Sequence, residues 1–155
     1  MNIQQIAVIG AGTMGSGIAQ ACAQSGLDVV MVDVSIAALE RGRTALVASL
    51  DRLVQKEKIS AAQKDETLRR IRSTVSYQEL KDSDLVIEAA TENLELKIRI
   101  LHEIESVVGD DTVIASNTSS ISITQLAAAL QRPGRCIGMH FFNPVPVMAL
   151  LEVIR

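Results

Sequence analysis

Gly10-Ala11-Gly12-Thr13-Met14-Gly15 constrains this chain more than any other segment. It follows a short apolar run, Ile6-Ala7-Val8-Ile9, and leads into an alanine-rich stretch from Thr13 to Ser25 with helical character, for which Gly26 is a stop. A G-x-G-x-x-G turn carries weight only in that setting, between a strand and a helix. Each glycine then has a physical reason. Gly10 permits the tight turn, Gly12 lets a pyrophosphate approach the backbone, and Gly15 lets helix and strand pack closely, with Gly17 extending that small face. Amides at the helix N-terminus hold the phosphates. Asp33 closes the second strand, 23 residues after Gly10. A carboxylate there accepts hydrogen bonds from an adenosine ribose and repels the extra 2′-phosphate of NADP, which favours NAD. FAD, served by the same fingerprint, is the alternative.

The strand pattern recurs at Asp28 to Asp33, Asp84 to Glu88, Thr112 to Ala115 and Cys136 to Met139. Leu150 to Ile154 is a candidate sixth strand and Thr74-Val75 a weaker one. Continuous apolar runs suit strands covered on both faces. Helical spacing links Leu94, Ile98, Leu101 and Val108, and a short helix is expected from Ser122 to Leu130. The alternation predicts an α/β fold, a Rossmann-like, doubly wound and mostly parallel sheet. From Ser35 to about Arg72 no strand is expected. Ile36, Leu39, Leu46, Leu50 and Leu53 keep a helical face, and a break near Ile59 leads to a second helix, with Ser60 and Gln63 spaced as a capping box. The crossover is therefore an inserted αα-hairpin. Residues 40–72 hold nine Lys/Arg and five Asp/Glu, a local charge of +4 in a chain of −3.

Composition narrows the function classes. At 155 residues the chain is one domain, and 48% hydrophobic residues exclude disorder. The only aromatics are Tyr77, Phe141 and Phe142. Single-stranded nucleic acid needs stacking platforms, so with mild net acidity a nucleic-acid partner is not expected. Cys22 and Cys136 read as buried, reduced thiols. No metal site is expected. No apolar stretch approaches the roughly 20 residues of a membrane span, and no leader precedes the first strand, so a cytoplasmic protein is expected.

His140 directly follows the strand ending at Met139, at the sheet edge where α/β folds bind ligands. The prolines of Phe141-Phe142-Asn143-Pro144-Val145-Pro146 can turn the chain back, so that Glu152 returns beside His140. The carboxylate would orient the imidazole and raise its basicity, as in an acid–base dyad; a satisfied core histidine is the alternative. His102 is expected at the surface. Ser116-Asn117-Thr118-Ser119-Ser120 follows the fourth strand and either caps the next helix or binds substrate oxygens.

The chain resembles the N-terminal domain of the 3-hydroxyacyl-CoA dehydrogenase family, and within it is particularly similar to bacterial 3-hydroxybutyryl-CoA dehydrogenases. Four stretches carry the likeness: residues 8–19 around the glycine turn, Asp84-Leu85-Val86-Ile87-Glu88-Ala89, Ala115-Ser116-Asn117-Thr118-Ser119-Ser120, and residues 138–148 from Gly138-Met139-His140 to Val147-Met148. The resemblance implies His140 as catalytic base, Glu152 as its partner, and Ser119 near the nicotinamide and the acyl-CoA oxygens. It implies Glu92, Lys97, Asn117 and Asn143, beside the glycine loop, as NAD contacts. Ser49, Arg52 and Lys56 on the hairpin are implied as CoA contacts, which gives the +4 segment a phosphate-bearing partner. The implied reaction is the reversible NAD-dependent oxidation of an (S)-3-hydroxyacyl-CoA to a 3-ketoacyl-CoA.

Family members continue with an all-helical domain that completes the acyl pocket and forms a homodimer, whereas this chain stops at Arg155. It is expected to fold, to bind NAD, to be a poor dehydrogenase alone, and to expose an apolar patch. The alternatives are a non-catalytic NAD-binding module, a structural relative, or a 3-hydroxyadipyl-CoA dehydrogenase.

Overall fold

The computed structural model describes residues 2–155. Seven strands form one sheet: β1 (Gln5–Ile9), β2 (Asp28–Val32), β3 (Ile71–Thr74), β4 (Leu85–Glu88), β5 (Val113–Ser116), β6 (Cys136–Phe141) and β7 (Leu151–Ile154). Five helices connect them: α1 (Thr13–Gln24), α2 (Ile36–Gln55), α3 (Ala61–Arg69), α4 (Leu94–Val107) and α5 (Ile123–Ala128). The spatial order is β3-β2-β1-β4-β5-β6-β7, and every pair is parallel except β6 with β7.

The apolar runs form central strands because both of their faces are covered. Ile6, Val8, Val29, Met31, Leu85 and Ile87 point to one side, against Ile18 and Ala19 of α1 and Leu39 and Leu46 of α2. Ala7, Ile9, Val30, Val32, Val86 and Ile114 point to the other, against Ile100, Leu101 and Ile104 of α4 and Leu126 of α5. A period of two thus splits each run between two cores. The core is aliphatic, as the scarcity of aromatics requires.

The helical hairpin is α2 followed by α3. Ser35 caps α2 by accepting from Ala38 N, and Ser60 and Gln63 form a reciprocal capping box on α3. The strand after it departs from the sequence expectation. β3 begins at Ile71 rather than near Thr74, and Arg72 lies within it. Ile71 is its one buried residue, so this edge strand lacks an apolar run. β6 also runs on through Phe141, which places His140 inside the strand rather than beyond it. Helix α5 is shorter than the expected span to Leu130.

The strand order reverses between β1 and β4. The chain winds outward through β2 and β3, then crosses to β4, β5 and β6. Loops leaving the carboxyl ends of β1 and β4 therefore diverge and open a crevice, the general ligand position of such sheets. At the far edge every residue of β7 is exposed, and its Leu151, Val153 and Ile154 are exposed apolar side chains, as are Val147, Met148 and Leu150 in the segment before it. No helix among the described residues is long and apolar enough to cross a membrane.

Candidate functional site

The crevice at β1 and β4 is a cleft of about 450 Å³. The glycine loop forms its floor, with Gly10, Ala11, Gly12 and Thr13; Asp33, helix α2 and Ala89-Ala90 form its walls. Gly10 has φ +103°, and a Cβ there would lie 2.7 Å from the Ala89 carbonyl oxygen. A Cβ on Gly15 would lie 1.8 Å from the Gly10 oxygen, whereas one on Gly12 would meet nothing within 4 Å. So Gly10 and Gly15 are required by the protein itself, while the bare backbone of Gly12 faces open space. Asp33 lies just past β2 and anchors the loop. Its Oδ2 accepts from Ala11 N at 3.0 Å and its Oδ1 from Ser35 N at 3.1 Å. Each oxygen retains a lone pair for a ribose hydroxyl. An open glycine at a helix N-terminus and a carboxylate at the end of the second strand fit a dinucleotide.

Gly42 also serves this cleft, and sequence spacing does not reveal it. A Cβ at Gly42 would stand 2.6 Å from the Ala11 carbonyl oxygen, so its absence lets α2 press against the glycine loop. A glycine inside an otherwise regular helix is the one signal that could have pointed there.

A smaller groove of about 220 Å³ continues from the loop. It joins Thr13 and Ser16 to Ser49 and Arg52 of α2 and to Asn143 and Pro144 beyond β6. The Asn143–Pro144 peptide is cis. Gly17 admits this loop, since a Cβ there would lie 3.0 Å from Val145 Cβ. Met14 is half-buried against the core, and Lys56 is the exposed C-cap of α2.

His140 and Glu152 face each other directly across the antiparallel β6–β7 pair. His140 Nδ1 lies 3.0 Å from Glu152 Oε2, and the imidazole stands 4.5 Å, centroid to centroid, from the Phe142 ring. Nε2 has no protein partner among the described residues. Asn117 holds the end of this strand, because its Oδ1 accepts from Phe141 N at 2.8 Å.

The Ser116–Ser120 loop rests on a buried charge network. Glu88, the last residue of β4, is fully buried, and so is Lys97 of α4. They form an ion pair. Glu88 also accepts from Ser116 Oγ at 3.0 Å and from Ala90 N at 2.8 Å. Ser116 Oγ accepts in turn from Thr118 N. On the outer side Glu92 accepts from Thr118 Oγ1 and Ser120 Oγ, at 2.8 and 3.1 Å. Ser119 lies exposed between these fixed neighbours. Lys97 thus stands apart from the other named residues, with its ammonium committed to Glu88 rather than lining the cleft. Sequence placed Glu88 at a strand end and Ser116 in a hydroxyl run but did not join them to Lys97, since nothing in a linear pattern pairs a strand end with the second turn of a helix. His102 is exposed and lies 2.7 Å from the Ala129 carbonyl oxygen, far in sequence from the dyad.

The hairpin's charge is resolved in two parts. Lys64, Arg69, Arg70 and Arg72 form ion pairs with Asp51, Glu66, Asp28 and Glu79. Arg41, Arg43, Arg52, Lys56 and Lys58 have no such partner among the described residues.

Residues 5–155 match the family described as 3-hydroxyacyl-CoA dehydrogenase, NAD binding domain. Among solved structures, the chain is 58% identical to the (S)-3-hydroxybutyryl-CoA dehydrogenase of Ralstonia eutropha, with a TM-score of 0.96 over 98% of this chain and 54% of that one. It is 44% identical to the 3-hydroxybutyryl-CoA dehydrogenase of Escherichia coli, also at a TM-score of 0.96, over 99% of this chain and 32% of that one. It is 51% identical over 153 residues to the fatty acid oxidation complex subunit alpha of Acinetobacter baumannii, covering 99% of this chain and 21% of the relative. The chain thus spans about a fifth of the length of such curated relatives.

Proposed function

Because this chain belongs to the 3-hydroxyacyl-CoA dehydrogenase family, as its NAD-binding domain, we propose that the protein carrying it oxidises (S)-3-hydroxyacyl-CoA to 3-ketoacyl-CoA reversibly. Short-chain 3-hydroxybutyryl-CoA is the proposed substrate, since the solved relatives from R. eutropha and E. coli are named for it. The observation that carries the reading is the His140–Glu152 contact at the carboxyl end of β6, two strands from the dinucleotide cleft.

The glycine loop and Asp33 hold NAD by its pyrophosphate and ribose. Bound NAD supplies the two-electron acceptor for the C3 centre. With the Nδ1 proton donated to Glu152, Nε2 carries the free lone pair and takes the hydroxyl proton of the substrate. The Glu152 carboxylate stabilises the imidazolium that results, and Asn117 keeps the strand end in place. Ser119 offers a hydroxyl to the developing carbonyl oxygen. Ser49, Arg52 and Lys56 present a hydroxyl and two cations to CoA, whose phosphates suit such donors. Glu92 steadies the Ser119 loop, and Lys97 acts through Glu88.

Steady-state turnover of acetoacetyl-CoA with NADH, by this domain joined to the segments that follow it in longer relatives, tests the proposal. In reverse, (S)-3-hydroxybutyryl-CoA should react and the (R) form should not. No turnover, or equal rates on both forms, would refute it.

A further inference from the structure

One wall of the dinucleotide cleft is a single stripe of α2: Ala38, Arg41, Gly42 and Ala45. Three of these carry a methyl group or less, which leaves room for the adenosine half of a dinucleotide. Arg41 is the one long side chain among them. Arg41 and Asp33 are the two charged residues lining the cleft.

These opposite charges share a cleft without pairing. The Asp33 carboxylate is pinned by the main chain, through the amides of Ala11 and Ser35. Arg41 is exposed and forms no ion pair among the described residues, although four other cations of the hairpin do. A free guanidinium therefore stands in the same cleft as the carboxylate. The 2′-phosphate of NADP would replace the ribose hydroxyl that Asp33 receives. It would meet repulsion from Asp33 and a planar donor fork from Arg41, a geometry suited to phosphate.

We propose that Arg41 is a latent 2′-phosphate receptor, so that discrimination against NADP rests on the Asp33 carboxylate alone. This deepens the reading of the cleft as the NAD site and rests on it. Neutralising Asp33 should then suffice to admit NADPH, without a new cation. Most of the gain should depend on Arg41.

The test is equilibrium titration of the 155-residue chain with NADH and NADPH, followed by nucleotide fluorescence, with the ratio of the two dissociation constants as readout. Asp33→Asn retains an acceptor oxygen for one of the two amides, Ala11 N or Ser35 N, and should lower the preference for NADH about tenfold or more. Adding Arg41→Ala should restore most of that preference through lost NADPH affinity. Arg41→Ala beside the native Asp33 should widen the NADH preference about threefold, which keeps the test independent of how well Asp33→Asn folds. A ratio that Arg41→Ala leaves unmoved in both backgrounds overturns the proposal. Failure of the native chain to bind NADH would instead overturn the cofactor reading beneath it, and that titration comes first.

Discussion

Lys97→Met should be among the most destabilising single substitutions in this domain, although it removes only one side-chain hydrogen bond. Lys97 and Glu88 are 1% and 0% exposed, so neither charge is shared with water. Removing one partner strands the other charge in the core, which typically costs about 3–5 kcal/mol. Against a total stability of roughly 5–15 kcal/mol that is a large fraction. For a domain of this size it corresponds to a melting temperature lower by roughly 6–20 °C. Glu88→Gln strands the ammonium instead and should cost a similar amount. The double variant buries no charge, and its glutamine oxygen can still accept from Ala90 N or Ser116 Oγ. It should therefore be more stable than either single variant. The assay is urea unfolding followed by far-UV circular dichroism, since the chain has no tryptophan and one tyrosine. A double variant whose loss equals the sum of the two single losses would show that the two charges do not depend on each other. So would a loss below about 1 kcal/mol for Lys97→Met, since a broken buried pair costs far more.

Gly12→Ala should change stability by less than about 1 kcal/mol while weakening NADH binding at least tenfold, because its Cβ meets only the space a pyrophosphate needs. Gly15→Ala should cost about 3 kcal/mol, the upper end for overpacking, with its Cβ forced onto the Gly10 carbonyl; equal effects from the two glycines would contradict both roles. Burial pushes the Cys22 and Cys136 thiols up to about 11, and Glu105 adds to the rise at Cys136. Both should resist a disulfide reagent at pH 8 in the folded chain and react fully in urea; rapid native labelling would contradict this. The backbone amides of Gln5 and Gln4 hold the Asp84 carboxyl below its ordinary value. Its folded-state pKa is thus lower than the unfolded one, so its contribution is present above about pH 4 and lost as pH falls through the folded value. Asp84→Asn should flatten the acid side of the stability curve, and urea midpoints from pH 7 to pH 2 would show an unchanged slope if the assignment were wrong.

The fold was legible wherever burial on both faces wrote itself into the chain. β1, β2, β4 and β5 read as continuous apolar runs because alternate residues serve two cores. β3 was shifted because Ile71-Arg72-Ser73-Thr74 is an edge strand with one buried side chain, and its pairing with β2 is a property of the sheet. The glycine loop with Asp33 was legible because each residue answers a local backbone or charge requirement. The approach of Glu152 to His140 was legible from a proline-rich turn between two short strands. The pairing of Glu88 with Lys97 was not, because it needs β4 and α4 already packed. Gly42 was invisible for the same reason: its role is set by the Ala11 carbonyl, 31 positions away in sequence.

The proposed role of His140, oriented by Glu152, is that of the base beside the NAD site. It is tested most directly by the turnover of His140→Gln with acetoacetyl-CoA and NADH, in a protein that carries this domain together with the segments its longer relatives have. The kcat should fall by about 10²–10⁴-fold, the usual worth of a positioned acid–base group. The NADH affinity should stay within about threefold of that of the native protein, since His140 lies outside the dinucleotide cleft. Turnover within about fivefold of native would contradict that role, because no positioned base would then have been lost.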